Sequence, residues 1–324
     1  MNIRNLLFVC VASVVALAQP GPRAQSALET YPLPATFAVP EGIAYDAAAG
    51  VAYTADATNG AVVRVNLRTK AVETVAAAGV LHPAGGDPPA FPFALGMKVD
   101  SGGRLWIAGG RTGRVMVLDT RTGALVKSMT IPNPAASLLN DVAIVGTSAY
   151  ITDTRVGTLW RVETRGTEIG ALEPWLNFTG TPLQYDPAIA NVNGIAATPD
   201  GRSLIVVHMG KGLLFRIDIA AKTVHPIDTA GADLTGADGL VLDGQNLMVV
   251  RQTAVEIATV QLTADLTKGT VVKRFKNPAL AWPATAFKFG DRLIVVNTQF
   301  NTRAANTATR PFTLAAVPIA QLMP

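Results

Sequence analysis

Six segments of similar sequence follow one another along this chain, and their spacing limits the folds it can adopt. Successive segments begin 45 to 54 residues apart, at Glu41, Leu95, Asn140, Asn193, Asp238 and Ala284. Each contains a short apolar strand, a turn, a second strand, a glycine-containing loop and a third strand, with a weaker fourth strand after it. Repeats of this length are typical of propellers and solenoids, and helical periodicity is missing. The sequence therefore predicts an all-β fold, a six-bladed β-propeller with four antiparallel strands per blade.

The sixth segment indicates how the ring of blades closes. It contains three predicted strands, whereas the extended, proline-containing stretch from Glu29 to Val39 precedes the first segment. We predict that this N-terminal stretch supplies the outer strand of the last blade, where proline is tolerated because an edge strand need not donate every ladder bond. Residues 27–324 would then form a single propeller domain.

Residues 1–26 resemble a signal peptide and leader. Arg4 precedes the uncharged apolar run from Leu6 to Ala18, and residues 16–18 (Ala-Leu-Ala) fit a cleavage pattern. The run is shorter than the roughly 20 residues that span a bilayer, and an uncleaved anchor is the alternative. We therefore expect a secreted or periplasmic protein with no membrane contact after cleavage. The only cysteine, Cys10, would leave with the leader, so the mature chain would have no disulfide.

Charge and composition exclude one class of partner. Charged residues make up 15% of the 324 residues, the net charge is +4, and no run of lysine or arginine forms a basic stripe. Nucleic acid is therefore not an expected partner. The sequence carries no marker of oligomeric state.

Four of the segments begin with a polar doublet, and these doublets predict a metal site. They are Glu41-Gly42, Asn140-Asp141, Asn193-Gly194 and Asp238-Gly239. The first strand of each propeller blade lines the central channel, so the first residues of the doublets should meet at one mouth. Two buried carboxylates without a basic neighbour would repel each other, and a divalent cation removes that cost. The alternative is that the doublets are ordinary turn residues.

The expected ligands are all oxygens, from Glu41, Asn140, Asn193 and Asp238. A set without Cys or His favours a hard ion. We predict Ca²⁺, which tolerates an irregular shell with carboxamide ligands, and another divalent cation is the alternative. Leu95 and Ala284 offer no ligand at the same level, so one side of the ion should stay open.

The chain resembles the gluconolactonase / senescence-marker-protein / luciferin-regenerating-enzyme family of six-bladed propellers. The matching stretches are PEGIAYD, LNDV, VNGIAATPDGRSLIVV and ADGLVLD. The resemblance implies that Glu41, Asn193 and Asp238 hold a divalent metal and that Asn140 lies near the metal or the substrate. It also implies hydrolysis of sugar lactones or, as in the related diisopropylfluorophosphatase, of phosphotriesters. The family arginine that reads sugar hydroxyls is replaced by Leu138-Leu139, which favours a less polar lactone or ester substrate.

Asp238 is the predicted general base or nucleophile, because it is a carboxylate at the expected metal with apolar neighbours in its own blade. Three further candidates lie at the ends of second strands, which should reach the same mouth. His208 would shuttle a proton or bind a substrate oxygen, or else serve the structure. Asp153 would orient a ligand or substrate, or only form a turn. Arg251 would bind an anionic substrate group or lie in solvent.

Two long loops, Leu81–Phe93 and Pro182–Val192, are predicted to cover the mouth. Their apolar residues, Phe91, Phe93, Leu183 and Tyr185, would form a hydrophobic lid over a small-molecule lactone or ester. Two other functions stay open: a non-catalytic, metal-stabilised propeller that binds a partner or ligand, and chemistry like that of strictosidine synthase on the same scaffold.

Overall fold

The computed structural model describes residues 27–81 and 93–324. In these residues the chain forms six four-stranded antiparallel sheets, which confirms the predicted six-bladed propeller. Three short 3-10 helices interrupt the strands, at Pro134–Ala136, Phe300–Thr302 and Ile319–Gln321. No helix in this part of the chain is long and apolar enough to cross a membrane. The predicted signal peptide, residues 1–26, lies outside the described residues.

The strands follow the chain from blade to blade. The closing strand is β1 (Glu29–Pro32). Blade one contains β2 (Pro40–Asp46), β3 (Val51–Asp56), β4 (Val62–Asn66) and β5 (Val72–Ala76). Blade two contains β6 (Met97–Val99), β7 (Arg104–Ala108), β8 (Arg114–Asp119) and β9 (Leu125–Thr130). Blade three contains β10 (Leu139–Val145), β11 (Ser148–Asp153), β12 (Thr158–Arg165) and β13 (Glu168–Asn177).

The remaining three blades repeat this arrangement. Blade four contains β14 (Val192–Ala197), β15 (Ser203–His208), β16 (Leu213–Asp218) and β17 (Thr223–Ile227). Blade five contains β18 (Ala237–Asp243), β19 (Asn246–Arg251), β20 (Glu256–Leu262) and β21 (Gly269–Phe275). Blade six contains β22 (Pro283–Phe289), β23 (Arg292–Asn297) and β24 (Thr313–Pro318), with β1 at its outer edge.

Closure of the ring by the N-terminal strand is confirmed. β1 pairs antiparallel with β24, from Glu29 opposite Ala316 to Pro32 opposite Thr313. The strand is shorter than the stretch predicted for it, but Tyr31 within it is fully buried. The Tyr31 hydroxyl donates to the carbonyl of Leu67 in blade one, 3.2 Å away. The closing strand therefore joins the first blade to the last.

Apolar side chains fill the space between neighbouring blades, because alternate residues of each strand face opposite sides of the sheet. Between blades two and three, for example, Trp106 and Trp160 are buried in one cluster with Val142 and Ile151. Similar clusters join the other neighbouring pairs. This packing fixes the inner strands around a common axis.

The inner strands carry a β-bulge where the doublets lie. In β2, Pro40 pairs with Asp56 of β3 and Ile43 pairs with Thr54, so one residue of β2 is extra. The same irregularity follows the first residue of β10, β14, β18 and β22. The doublets are thus inside strands and not in hairpin turns, and their interpretation as turn residues is wrong. A bulge re-aims the side chains beside it.

The second residue of each doublet lies against the next blade. A Cβ atom on Gly42 would overlap the carbonyl oxygen of Leu95, and one on Gly194 would overlap that of Asp238. A Cβ on Gly239 would overlap the hydroxyl of Thr285. Glycine is required at these positions because the inner strands approach one another through their backbones.

We therefore expect Gly42→Ala to lower the free energy of unfolding by about 3 kcal/mol, since overpacking against a fixed backbone forces neighbouring strands apart. Gly157→Ala is the matched control, because its added Cβ would have no neighbour nearer than 3.5 Å. Denaturant unfolding of the three proteins measures the difference. Equal stability of the two variants would contradict the close approach at the axis.

Candidate metal centre

The structure places the first residues of the doublets at one level of the channel. Each is the second residue of the inner strand of its blade: Glu41, Asn140, Asn193 and Asp238. The residue before it pairs with the last residue of the neighbouring strand in the same blade. Ala284 has the same place in β22, and Leu95 lies just before β6. The four oxygen-bearing side chains are nearly or fully buried, with 3 to 6% of each residue exposed.

Three of these four side chains are anchored by a residue just beyond the second strand of the same blade. The amide nitrogen of Asn140 donates to the Thr154 hydroxyl at 2.9 Å. The amide nitrogen of Asn193 lies 3.3 Å from the sulfur of Met209. The side chain of Gln252 donates to Oδ2 of Asp238 at 2.7 Å. Because the amide nitrogens of both asparagines are engaged, their carboxamide oxygens are left as candidate ligands.

Glu41 has no such anchor. The equivalent position in blade one is Ala57, which offers no side-chain hydrogen bond. Oε2 of Glu41 is buried and has no hydrogen-bond partner in the described residues. A buried, unpaired carboxylate oxygen is costly, so this atom points to a missing positive partner.

A third carboxylate lies beside this ring and was not among the site residues predicted from the sequence. Asp141 is the second residue of its doublet, and the other three doublets have glycine at that position. It is buried, and its carboxylate accepts hydrogen bonds from the backbone amides of Val142 at 2.8 Å and Ile195 at 3.2 Å. Its departure from the Gly pattern is the sequence signal that would have identified it.

The three carboxylates perturb one another. Burial raises the pKa of Glu41 well above its usual range, and the charges of Asp238 and Asp141 raise it further. Burial and then the charge of Asp141 raise the pKa of Asp238, while hydrogen bonds from Asn193 and Gln252 lower it. Burial also raises the pKa of Asp141, an effect that the charge of Lys98 partly offsets. Without a cation, the ring therefore favours protonated carboxyl groups.

The residues fit a hard cation with mixed ligands. In the described residues no three His, Cys, Asp or Glu side chains are grouped so as to hold a metal by themselves, so the two carboxamides would have to contribute. Carboxylate and carboxamide oxygens from separate blades form a donor set that suits Ca²⁺. The orphaned oxygen of Glu41 is the observation that favours an ion here.

The comparisons with known proteins agree with this fold. Residues 24–141 match the sequence model of the SMP-30/Gluconolactonase/LRE-like region. This match confirms the family resemblance predicted from the sequence. It includes Glu41 and the Asn140-Asp141 doublet and ends before Asn193 and Asp238. No curated protein matches the sequence.

Several solved structures share the architecture. The calcium-binding protein regucalcin from Agrobacterium tumefaciens str. C58 is 17% identical, with a TM-score of 0.61 over 90% of this chain and 94% of its own. Luciferin-regenerating enzyme is 14% identical, with a TM-score of 0.61 over 90% and 94%. The PQQ-bound aldose sugar dehydrogenase from Streptomyces coelicolor is 14% identical, with a TM-score of 0.60 over 91% and 99%. At these identities the likeness concerns the fold alone.

Arg251 is the last residue of β19, and its guanidinium has protein partners. Its guanidinium pairs with Glu256 at 2.5 Å and Asp233 at 2.7 Å, and its Nε donates to the carbonyl of Thr235 at 3.1 Å. Only 5% of the residue is exposed. Partners from the following strand and the preceding loop therefore contact all three guanidinium nitrogens, and a substrate-binding role for Arg251 stays a prediction.

The contacts of Asp153 are those of the turn-forming alternative. It is fully buried, and Oδ2 accepts from the Ser137 hydroxyl at 2.6 Å. Oδ1 accepts from the backbone amides of Leu138, Arg155 and Val156, each at 3.0 Å. Both oxygens thus hold the loop before β10 and the turn after β11, and a role toward a ligand or substrate stays a prediction.

His208 lies at the end of β15, with 1% of the residue exposed. Its Nδ1 accepts a hydrogen bond from the backbone amide of Lys211 at 3.3 Å, so the ring proton lies on Nε2. Burial and then the charge of Lys211 lower its pKa. Nε2 is buried without a partner in the described residues. A catalytic role for His208 stays a prediction.

The residues predicted to form a lid that the structure describes pack against the blades. Phe93 and Leu183 are fully buried in the cores between blades, so they are corrected from lid to core. Tyr185 donates its hydroxyl to the carbonyl of Asp153 at 2.6 Å and stacks on Phe178. Phe91 and most of the first predicted loop lie outside the described residues.

Apolar side chains nevertheless border the metal centre. Val39, Ala57 and Leu95 form a buried cluster with Leu138 and Phe300. Leu138 also lines a groove of about 480 Å³, together with Thr154, Arg155, Ile189 and neighbouring residues. Since Thr154 holds Asn140, this groove adjoins the ring of candidate ligands.

The raised pKa values of Glu41 and Asp238 predict the direction in which the stability of the protein changes with pH. A carboxyl group whose folded pKa is raised stabilises the fold at low pH, and that stability is lost as pH rises through the folded pKa. The metal-free protein should therefore become less stable as pH rises above the ordinary Glu and Asp values of 4.5 and 3.8. Calcium binds the ionised carboxylates, so its stabilising effect should grow over the same range.

Thermal unfolding with excess calcium or with a chelator, from about pH 5 to about pH 8, measures both trends. Glu41→Gln removes one titrating group and should flatten the pH dependence of the metal-free protein. A calcium effect of equal size at every pH would contradict this assignment of the buried carboxylates.

Proposed function

We propose that this protein is a calcium-dependent hydrolase of lactones or related esters, with one metal at the mouth of the propeller channel. The buried, unpartnered oxygen of Glu41, level with Asn140, Asn193 and Asp238, is the observation that carries the proposal. The match to the SMP-30/Gluconolactonase/LRE-like region supports the reaction class. The fold shared with the calcium-binding protein regucalcin supports the choice of ion.

Each residue of the ring has a proposed role. Glu41, Asn140, Asn193 and Asp238 would hold the cation through side-chain oxygens. When bound, the cation would act as a Lewis acid toward the substrate carbonyl. The corresponding residues of blades two and six, Leu95 and Ala284, have no side-chain donor atoms. This leaves room for a substrate beside the four ligands.

Asp238 is the proposed general base. Gln252 donates to Oδ2, which fixes the orientation of the carboxylate. Asp238 would take a proton from a water molecule while the water oxygen bonds to the carbonyl carbon. The bond from that carbon to the ester oxygen then breaks, and the proton passes to the departing oxygen. Direct attack by the carboxylate, followed by hydrolysis of the acyl-enzyme, is the alternative.

The environment of the mouth supports a substrate less polar than a sugar lactone. Leu138, Leu95 and Phe300 belong to the apolar cluster beside the ring, and Leu138 extends that surface into the neighbouring groove. An apolar substituent on the acyl or leaving group would be buried there. We also propose that residues 1–26 export the protein, which would place the reaction in the periplasm or outside the cell.

Substitution of Asp238 tests the catalytic assignment. We expect Asp238→Asn to lower kcat for lactone or aryl-ester hydrolysis about 10³-fold, because the amide cannot accept the proton. Asp243→Asn is the matched control, since Asp243 ends the same strand in a surface ion pair with Lys288. A panel of lactones and aryl esters, assayed with calcium and with a chelator, supplies the rates.

Full activity of Asp238→Asn with metal still bound would contradict the role of Asp238. If the unsubstituted protein hydrolyses nothing in the panel but still melts at a higher temperature with calcium, the non-catalytic propeller becomes the better description.

Substrate length tests the apolar groove. For aryl esters with longer linear acyl chains, kcat/KM should rise about fourfold per added methylene until the groove is filled, as expected for burial of about 0.8 kcal/mol each. Leu138→Ser should reduce this increment. Val126→Ser is the control, because Val126 is a 51% exposed apolar residue on the outer strand of blade two. Rates independent of chain length would place the substrate outside the groove.

A further inference from the structure

A second ring of side chains lies below the candidate metal centre. It consists of the residues three positions after the six segment starts (Glu41, Leu95, Asn140, Asn193, Asp238 and Ala284). In every blade this residue pairs at the same level of the second strand. All six residues line one cavity of about 390 Å³ on the propeller axis: Ala44, Lys98, Ala143, Ala196, Val241 and Phe287. Five are apolar and one is a lysine. The repeat therefore isolates Lys98 as a charge that packing alone does not require.

Lys98 has no ion pair among the described residues. The cavity is lined by one other charged side chain, Lys288, whose ammonium pairs with Asp243 at 2.6 Å. No acidic residue of the described chain lines the cavity. A partly buried ammonium without an adjacent carboxylate costs solvation free energy, so a charge elsewhere in the channel should compensate it.

That compensating charge is in the ring above. Gly96 directly precedes β6, in which Lys98 is the second residue. A Cβ on Gly96 would overlap the carboxylate of Asp141, which places the backbone two residues before Lys98 directly against Asp141. Lys98 lines the axial cavity below this contact, so Asp141 is the carboxylate of the ring that adjoins its strand.

Charge counting connects the two rings. Glu41, Asp141 and Asp238 bring three buried negative charges to the mouth, and one divalent cation would leave a single negative charge uncompensated. We propose that Lys98 is the fixed counter-charge of the metal centre, which neutralises Asp141 from the channel side and so matches the site to a divalent ion. This inference rests on the proposed metal site but does not depend on the reaction carried out there.

If Lys98 acts through its charge, its effect on cation affinity should depend on the charge of the ion. Removing one positive charge from the channel should strengthen cation binding, and the gain in log affinity should scale with the charge of the ion. Lys98→Met should therefore bind Ca²⁺ on the order of tenfold more tightly, and Tb³⁺ by a larger factor. The metal-free variant should melt at a lower temperature at neutral pH, because the three buried carboxyl groups lose a nearby positive charge.

Isothermal titration of the metal-free proteins with Ca²⁺ and Tb³⁺ tests this. Lys98→Arg keeps the charge and should bind both ions within about threefold of the unsubstituted protein. Lys288→Met removes the other lysine of the same cavity, which is already paired, and should behave like Lys98→Arg. Affinities of Lys98→Met within twofold of the unsubstituted protein, or equal gains for both ions, would overturn the proposal.

A double substitution separates charge from packing. Asp141→Asn alone should weaken Ca²⁺ and weaken Tb³⁺ more, whereas Lys98→Met with Asp141→Asn should return both affinities toward those of the unsubstituted protein. Simple addition of the two effects on protein stability, without mutual rescue, would contradict direct compensation. The same cycle applies with Lys98→Gln, which retains a polar side chain of similar length.

Failure to fold is also informative. If Lys98→Met and Lys98→Gln unfold without metal while Lys98→Arg stays folded, the requirement is for charge, as proposed. If Lys98→Arg unfolds as well, the role of Lys98 is steric and the proposal is wrong. Absence of Ca²⁺ binding by the unsubstituted protein would instead contradict the metal centre itself.

Discussion

The close approach of inner strands around the axis is the constraint on which the rest of this structure depends. Glycine in the second doublet position lets one blade contact the backbone of the next, and a β-bulge accompanies it. Because the strands are that close, the residue before each such position has little freedom and faces the mouth. Glu41 and Asp238 are thus brought together by blade packing and not by attraction between them. The same packing that stabilises the propeller creates its electrostatic conflict.

The repulsion among the buried carboxylates accounts for their different partners at the mouth of the channel. Three buried carboxylates would normally be replaced or protonated, yet each has a different environment: Asp238 accepts from Gln252, Asp141 accepts two backbone amides, and Glu41 has an oxygen with no partner. Incomplete pairing costs stability in the metal-free protein. A bound cation would offset this loss of stability. Folding stability and ion binding are therefore expected to be linked at the ring of carboxylates.

The sequence was sufficient for the fold and for the level of the site, because both follow from the repeat. Once the six segments are aligned, strand order, closure by residues near Glu29 and the common level of the doublets follow from propeller geometry. Individual roles required the structure. Asp153 and Arg251 reach the predicted mouth, but their partners Ser137 and Asp233 come from loops whose positions a repeat does not specify. Phe93 and Leu183 looked like lid residues for the same reason, since burial of a loop residue cannot be read from local composition.

Departures from the repeat carry most of the functional information. Asp141 stands where other doublets have glycine, and Lys98 stands in a ring that is otherwise apolar. Neither substitution helps a blade to pack: a buried carboxylate and a partly buried ammonium both cost solvation free energy. Because they occur on neighbouring blades, at neighbouring levels and with opposite sign, each reduces the cost of the other. The two exceptions and the ring of oxygen donors are therefore best understood as one electrostatic unit.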